Sequence, residues 1–291
     1  MNLHHIVVAT DETDAGRQAV RTGLRLAARS RARLTVMRAV PVPAVAVLAG
    51  VSTGAVSVEL DGAAVAVKRL QRWLDADVIP AGHPTPVDVS VTFGIPGIEI
   101  CRFAERQGAD LLILGRKLRS PMTRLLLGDT ADAVVRRSRT PCLFVPPGSG
   151  ELCQLLVALD GSERGMTVLT AACGFARGVG ASLRVVTVES GPDGERAGLG
   201  SALPGGRSSQ LRGRVAAVLG RELETIADAP TAVEIRHGGI VPQILAEVEA
   251  SHPGVLVFGY HRGGPPGIIE AGSTARHLAH TAPCAVLTIP L

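Results

Sequence analysis

Aromatic residues make up only 2% of this 291-residue chain, against 46% hydrophobic residues in all. The core must therefore be built from valine, leucine, isoleucine and alanine. Aliphatic cores of this kind suit buried parallel strands covered by helices. With 19% charged residues the composition is globular rather than disordered, and the length is sufficient for two domains of ordinary size.

Lysine is nearly absent, because Lys68 and Lys117 are the only two in the chain. The positive charge is therefore carried by arginine, and the formal net charge of +4 is spread along the sequence without basic runs. Nucleic-acid binding requires a concentrated basic face, with interleaved aromatics where bases are stacked. We therefore predict no nucleic-acid partner.

The five cysteines lack CxxC spacing and are odd in number, which is typical of thiols in a reducing compartment. No signal-peptide pattern precedes the strand-like segment that starts at residue 6, so a cytoplasmic location is expected. The uncharged stretch 39–58 contains Pro41 and Pro43 and is interpreted as an apolar loop, not a membrane span.

One repeat organises the whole chain. The segment IVVATDETDAG (6–16) reappears as LLVALDGSERG (155–165). Gly94, Ile100, Gly115 and Gly128 match Gly238, Ile244, Gly259 and Gly272 at one constant offset. Aliphatic strands alternate with helical periodicity in both copies, which predicts parallel sheets with right-handed crossovers. We expect an α/β fold of two tandem Rossmann-like domains, 1–148 and 149–291, each a five-stranded parallel sheet with helices on both faces.

A glycine-rich segment of the second copy has the properties of a phosphate loop. Ligands of open parallel sheets bind outside the carboxyl ends of the strands. The segment GYHRGGPPGIIEAGST begins at Gly259 after a strand and finishes with Gly272, Ser273 and Thr274 opening a helix. Glycines let the backbone approach an anion, and the free N–H groups of a helix start point towards it. Hydroxyl groups and Arg262 would add further contacts to phosphate.

With these residues the chain resembles the universal stress protein family over nearly its whole length. The family's phosphate loop, G-x2-G-x9-G-S/T with Arg sometimes at the second glycine, matches Gly259, Arg262, Gly272 and Ser273. The family's strand-one aspartate, which faces adenosine, matches Asp160. The strand-two segment whose backbone meets adenine ends near Val188. The resemblance implies that the second copy binds ATP with Mg²⁺ and that the fold is adenine nucleotide alpha hydrolase-like.

The first copy departs from the family pattern. Asp11, Gly115 and Gly128 are in place, but Leu118 replaces glycine or arginine and Asp129 replaces serine or threonine. Asp129 is a sound helix N-cap, yet its carboxylate would stand where a phosphate should bind and would repel it. Our hypothesis is that Asp129 imitates the anion internally and leaves the first site weak or empty.

The resemblance implies a regulatory stress-response protein that binds nucleotide and is not an enzyme. We see no base beside a nucleophile, so any ATP hydrolysis should be slow. An interaction module with an unknown protein partner remains the alternative. An ATP-using enzyme on the same fold is less favoured, because SGGxDS, HIGH and Walker motifs are absent. The last strands, 141–146 and 283–290, are expected to pair edge to edge, as in family dimers, which predicts a homodimer or an intramolecular pseudo-dimer.

Two histidines invite a metal-site interpretation that the sequence does not support. His277 and His280 lie three residues apart on a predicted helix, but no Asp, Glu or Cys cluster accompanies them. We therefore expect an ordinary helix surface and no protein-held metal.

Overall fold

The computed structural model of the chain describes residues 1–42, 55–116, 129–189, 206–223, 233–260 and 273–291. The chain divides into two compact units. The N-terminal unit comprises Leu3–Gly148, and the C-terminal unit comprises Ser149–Leu291 together with Met1–Asn2.

In the N-terminal unit, strands and helices alternate along the chain. Its strands are β1 (His5–Ala9), β2 (Arg33–Pro41), β3 (Val87–Gly94), β4 (Leu111–Gly115) and β5 (Cys142–Val145). Its helices are α1 (Asp14–Ser30), α2 (Ala55–Trp73), α3 (Pro96–Arg106) and α4 (Asp129–Arg137). A π-helical turn, Leu74–Val78, continues α2 directly. The strands are parallel in the order β3-β2-β1-β4-β5.

The C-terminal unit repeats this arrangement. Its strands are β6 (Gln154–Leu159), β7 (Ser182–Glu189), β8 (Val233–His237), β9 (Val255–Tyr260) and β10 (Ala285–Pro290). Its helices are α5 (Glu163–Val179), α6 (Gly206–Leu223), α7 (Ile240–Ser251) and α8 (Ser273–Thr281). The parallel order is β8-β7-β6-β9-β10, so the strand order switches direction between β6 and β9.

The first helix of each unit begins with the same cap. The Thr13 hydroxyl accepts the Gly16 N–H at 3.3 Å, and the Ser162 hydroxyl accepts the Gly165 N–H at 3.1 Å. Each cap satisfies one of the amide groups that a helix start leaves without an intrahelical partner. The repeat visible in the sequence therefore extends to the turn that follows the first strand.

Both cores are aliphatic, as the composition predicted. The central strands β1, β4, β6 and β9 consist mainly of valine, leucine and isoleucine side chains that are completely buried. Among the few aromatics, Phe144, Phe175 and Tyr260 are also fully buried. The prediction of two tandem Rossmann-like units, each a five-stranded parallel sheet covered by helices, is confirmed.

The stretch 39–58 is not a loop throughout, and this corrects the sequence interpretation. Its first residues extend β2 as far as Pro41, which pairs with Gly94 of β3. Proline is tolerated at this position because β1 pairs with β2 only as far as Met37. On that side of Pro41 no neighbouring strand requires the backbone N–H that proline lacks. The last residues of the stretch, 55–58, belong to α2, and residues 43–54 lie outside the described ranges. No helix within the described ranges is long and apolar enough to cross a membrane.

Candidate functional site

A cavity of about 440 Å³ lies at the carboxyl ends of β6, β7 and β9 in the C-terminal unit. This is the place where the strand order of the unit switches direction, and open α/β sheets bind their ligands there. Four of the residues singled out in the sequence line it: Asp160, Val188, Gly259 and Thr274.

Asp160 directly follows β6, and its carboxylate is held by the turn that starts α5. One oxygen, Oδ1, accepts the Ser162 N–H at 3.0 Å and the Ser162 hydroxyl at 2.7 Å. A methyl group on Gly165 would lie 2.8 Å from the same oxygen, so glycine is what lets the helix approach this closely. The carboxylate is thus fixed at the cavity wall, where it can accept hydrogen bonds from ligand hydroxyl groups.

Val188 lies at the end of β7, one residue beyond the last pair of the β6–β7 ladder, Leu159 with Thr187. The Thr187 hydroxyl closes this ladder by donating to the Leu159 carbonyl at 3.0 Å. The β6–β7 pairing has therefore ended at Val188, so the side of its backbone that faces β6 has no strand partner. Val188 lines the cavity. Backbone N–H and C=O groups in this position can read the edge of a planar base.

Gly259 lies near the end of β9 at a point of very close packing. A methyl group there would lie 2.5 Å from Val168 Cγ2 and 2.7 Å from Leu291 Cδ1. Arg262 and Gly272, which follow it in the sequence motif, lie outside the described residues.

Helix α8 contributes its first turns to the same cavity. It begins at Ser273, whose side chain is not described, and Thr274, Ala275 and Leu278 line the cavity. Its amino-terminal amides lie at the side of the cavity where an anion would be stabilised.

One wall of the cavity is apolar and was not found from the sequence. Ile240 and Ile244 of α7 line the cavity, and Ile240 is exposed although isoleucine is usually buried. In the sequence, Ile244 stands out only as one of the residues that fix the register of the repeat. Its spacing of four residues from Ile240 at a helix start, after a strand, is the signal that could have revealed the wall.

A buried carboxylate fastens helix α7 to the sheet. Glu247 is 3% exposed and accepts two hydrogen bonds at Oε2 from Arg236 of β8, at 3.0 Å from Nε and 2.5 Å from Nη2. Arg184 of β7 approaches its other oxygen at 3.4 Å. The three residues are far apart in sequence, so pattern analysis did not bring them together. They hold the helix that carries the apolar wall.

The corresponding edge of the N-terminal unit has the same turn but a different charge pattern. Asp11 Oδ1 accepts the Thr13 N–H at 3.2 Å and the Thr13 hydroxyl at 2.6 Å, as Asp160 does with Ser162. The next residue, Glu12, forms ion pairs with Arg38 and Arg69. Burial, and then the charge of Arg69, lower the pKa of Arg38 from its usual value.

The remaining first-copy residues are placed less completely. Gly115 ends β4, where a methyl group would collide with the backbone of Ala15, so β4 packs directly on the start of α1. Gly128 lies outside the described residues, and Asp129 is the first residue of α4 with its side chain not described. The hypothesis that Asp129 imitates a phosphate stays a prediction.

Comparison with known proteins decides the family. The sequence matches the family described as the universal stress protein family twice, over residues 2–146 and again over 154–290. The chain belongs to the universal stress protein family. The two matches agree with a tandem arrangement of the family's domain, so the family and the repeat predicted from sequence are confirmed.

Individual relatives of this universal stress protein are distant. Universal stress protein MJ0531 of Methanocaldococcus jannaschii is 38% identical over 52 residues, which are 18% of this chain and 31% of that protein. The alignment thus spans about a third of the curated relative's length. The crystal structure of a universal stress protein from Archaeoglobus fulgidus matches with a TM-score of 0.71 and 18% identity. It covers 100% of this chain and 99% of its own, and shows the same fold.

A universal stress protein solved in complex with cAMP is 24% identical, covers 51% of this chain and 100% of its own, and has a TM-score of 0.35.

Proposed function

We propose that this universal stress protein binds an adenine nucleotide, ATP with Mg²⁺, in the cavity of the C-terminal unit. In this proposal it acts in a regulatory stress response through binding, not turnover. The supporting observation is the convergence of Asp160, Val188, Gly259 and Thr274 on one cavity from four separate segments of the chain. The family resemblance implies nucleotide contacts for Asp160, Val188 and Gly259, and Thr274 adds a hydroxyl group at the start of α8.

The size and lining of the cavity suit a nucleotide. Sites for small molecules typically occupy about 300–1,000 Å³ and are mostly apolar with a few fixed polar groups. The cavity measures about 440 Å³, and Ile240 and Ile244 offer an apolar surface to a base beside the Val188 backbone. Asp160 would accept the ribose hydroxyls, and the start of α8 with Thr274 would receive phosphate. Arg262, Gly272 and Ser273 complete the phosphate side on the strength of the sequence motif.

A regulatory role fits the chemistry of the described lining better than turnover. Among the described residues that line the cavity, only Asp160 has a carboxylate side chain. Its Oδ1 already accepts hydrogen bonds from the Ser162 N–H and hydroxyl. A catalytic base needs to reach a water molecule in line with the γ-phosphate. We infer that nucleotide persists in the site and acts by ordering the surrounding segments, in the cytoplasm where ATP is available.

A pair of matched substitutions tests the proposal. Asp160→Ala and Asp11→Ala remove the same two turn hydrogen bonds at equivalent positions of the two units, so their structural costs should be alike. Only the first removes a group that lines the cavity. Hydrogen bonds to a charged group contribute about 1.5–3 kcal/mol, and about 1.4 kcal/mol is a tenfold change in affinity.

Calorimetric titration of both variants with ATP and Mg²⁺ gives the readout. We expect Asp160→Ala to weaken binding by about tenfold or more, and Asp11→Ala to leave it close to that of the intact chain. Equal effects of the two substitutions would contradict the assignment of the site. No heat of binding to the intact chain would instead favour the interaction module with a protein partner.

A further inference from the structure

The N-terminal unit carries an ion cluster at the edge that corresponds to the nucleotide cavity. We call Glu12, Arg38 and Arg69 the Glu12 cluster. Glu12 Oε1 pairs with Arg38 Nη1, and Glu12 Oε2 lies 3.4 Å from Arg69 Nε. The Glu12 side chain is 12% exposed and that of Arg38 is 24% exposed, so the pair that they form is largely shielded from water.

The repeat shows what the Glu12 cluster replaces. Glu12 follows Asp11 as Gly161 follows Asp160, and Arg38 of LTVMRAV aligns with Thr187 of LRVVTVE. In the C-terminal unit these two positions hold the smaller residues Gly161 and Thr187, which are the chain neighbours of the cavity-lining residues Asp160 and Val188. In the N-terminal unit a carboxylate and a guanidinium take the same two positions.

The backbone of Glu12 has a conformation that is unfavourable for a residue with a side chain. Glu12 has φ 61°, and Gly161 has φ 75°. Left-handed conformations are easy for glycine and uncommon for residues with a Cβ. Strain of this kind persists where the surroundings enforce it and is concentrated at functional positions. Here the ion pairs, and the hydrogen bond from the Glu12 N–H to the Thr10 hydroxyl at 3.1 Å, enforce it.

Arg69, the third residue of the Glu12 cluster, corresponds to Arg214 of the C-terminal unit, which has different partners. Arg214 of α6 also reaches the loop after the first strand of its unit, but it donates to the Gly161 carbonyl at 2.9 Å. It pairs at 2.7 Å with Glu163, whose side chain is 88% exposed. The arginine of the C-terminal unit therefore binds the outside of the turn, whereas Arg69 completes the Glu12 cluster.

We propose that the Glu12 cluster occupies the base and ribose end of the N-terminal ligand edge and excludes adenine nucleotide from it. A base would have to displace the shielded pair of Glu12 with Arg38 while offering no charge in exchange, and this would leave a partly buried charge without its partner. The inference rests on the proposed function of the C-terminal unit. It concerns the opposite end of the ligand from Asp129, and it makes the protein a one-site nucleotide binder.

Opening the N-terminal edge is the first test. The double substitution Glu12→Gly with Arg38→Thr restores the residues of the C-terminal unit, and adenosine is the probe because it carries no phosphate for Asp129 to repel. Trp73, the single tryptophan of the chain, lies on α2 one helical turn after Arg69 and is therefore a fluorescence probe within the N-terminal unit. Arg33→Thr, at the opposite end of β2 in an exposed pair with Asp88, is the matched control.

We expect saturable adenosine-dependent quenching of Trp73 in the double variant, at concentrations at least about tenfold below any response of the intact chain or of Arg33→Thr. A double variant that keeps its far-ultraviolet circular dichroism but shows no Trp73 response would overturn the inference.

Closing the C-terminal edge is the reciprocal test. Gly161→Glu with Thr187→Arg transfers the ion pair to the working cavity, and Gly220→Glu adds the same carboxylate at an exposed α6 position with open space around it. Calorimetry with ATP and Mg²⁺ should show at least about a tenfold loss of affinity for the transfer and none for the control. An affinity within about threefold of the intact chain would overturn the inference. If the transferred arginine prevents folding, the Trp73 titration decides.

The two proposals fail in different ways. An intact chain that binds no ATP refutes the proposed function, and the Trp73 titration of the opened variant still decides the inference on the Glu12 cluster. An intact chain that binds two ATP molecules with similar affinity upholds nucleotide binding and refutes the exclusion by the cluster.

Discussion

Glu247→Gln is the substitution that most directly probes how the cavity wall is held. The buried Glu247 carboxylate receives the Arg236 guanidinium through two hydrogen bonds and lies 3.4 Å from that of Arg184. Glutamine keeps the shape and one acceptor oxygen but removes the charge that compensates both guanidinium groups. The effect is therefore electrostatic and not a loss of packing.

The expected cost follows from the exposure of the partners. Removing one member of a fully buried ion pair costs about 3–5 kcal/mol. Here the Arg236 and Arg184 side chains are 25% and 36% exposed, so water takes up part of the lost interaction. We expect the free energy of unfolding of the C-terminal unit to fall by about 2 kcal/mol. For a unit of this size the melting temperature would fall by about 4–8 °C.

Scanning calorimetry of the intact chain measures this, with Glu249→Gln as the control. Glu249 is exposed on the same helix, so the control makes the same change of charge without breaking the cluster. We also expect a several-fold loss of ATP affinity in Glu247→Gln, because α7 carries Ile240 and Ile244 at its amino end. A melting temperature that falls by less than about 1 °C, or equally in both variants, would show that the Glu247 charge does not hold α7 to the sheet.

Three further outcomes are expected. Gly259→Ala would place a methyl group 2.5 Å from Val168 Cγ2 and should lower ATP affinity, measured by calorimetry; unchanged affinity would show that the cavity adapts. Ser162→Ala removes the α5 cap and should lower the free energy of unfolding in urea by about 1 kcal/mol, and no change would mean that the cap is replaced. Burial raises the pKa of Cys173 from 9.0 to about 11, so the stability due to its neutral thiol is complete below pH 9.0 and is lost as the pH rises towards 11. Alkylation at neutral pH, followed by mass spectrometry, should label the exposed Cys153 first, and equal labelling would contradict this.

Sequence patterns were sufficient to predict the fold because each helix and strand has a recognisable pattern in its own stretch of sequence. Runs of buried aliphatics mark the strands, and Asp160 with Ser162 marks the turn into α5. The repeat then confirms each element by its copy. The same logic located the polar side of the cavity, since Asp160, Val188 and Gly259 all lie at strand ends, where ligands of parallel sheets bind.

The features that escaped prediction depend on side chains brought together from distant segments. The Glu12 cluster combines the turn after β1 with β2 and α2, and the sequence alone shows Glu12 only as an acidic residue before a helix. The positive φ of Glu12 is not evident from the residue itself, because a glutamate does not mark a left-handed position; only its counterpart in the repeat, Gly161, does so. The cluster around Glu247 has the same origin, since its members come from β7, β8 and α7.

We propose that one adenine nucleotide binds in the cavity of the C-terminal unit. Calorimetric titration of the intact chain with ATP and Mg²⁺, with fluorescence followed in parallel, tests it most directly. Tyr260, the single tyrosine, lines the cavity, whereas Trp73 lies in the other unit. We expect one ATP per chain, a change in tyrosine emission and constant tryptophan emission. Two ATP molecules per chain, or a response of Trp73 without one of Tyr260, would contradict it.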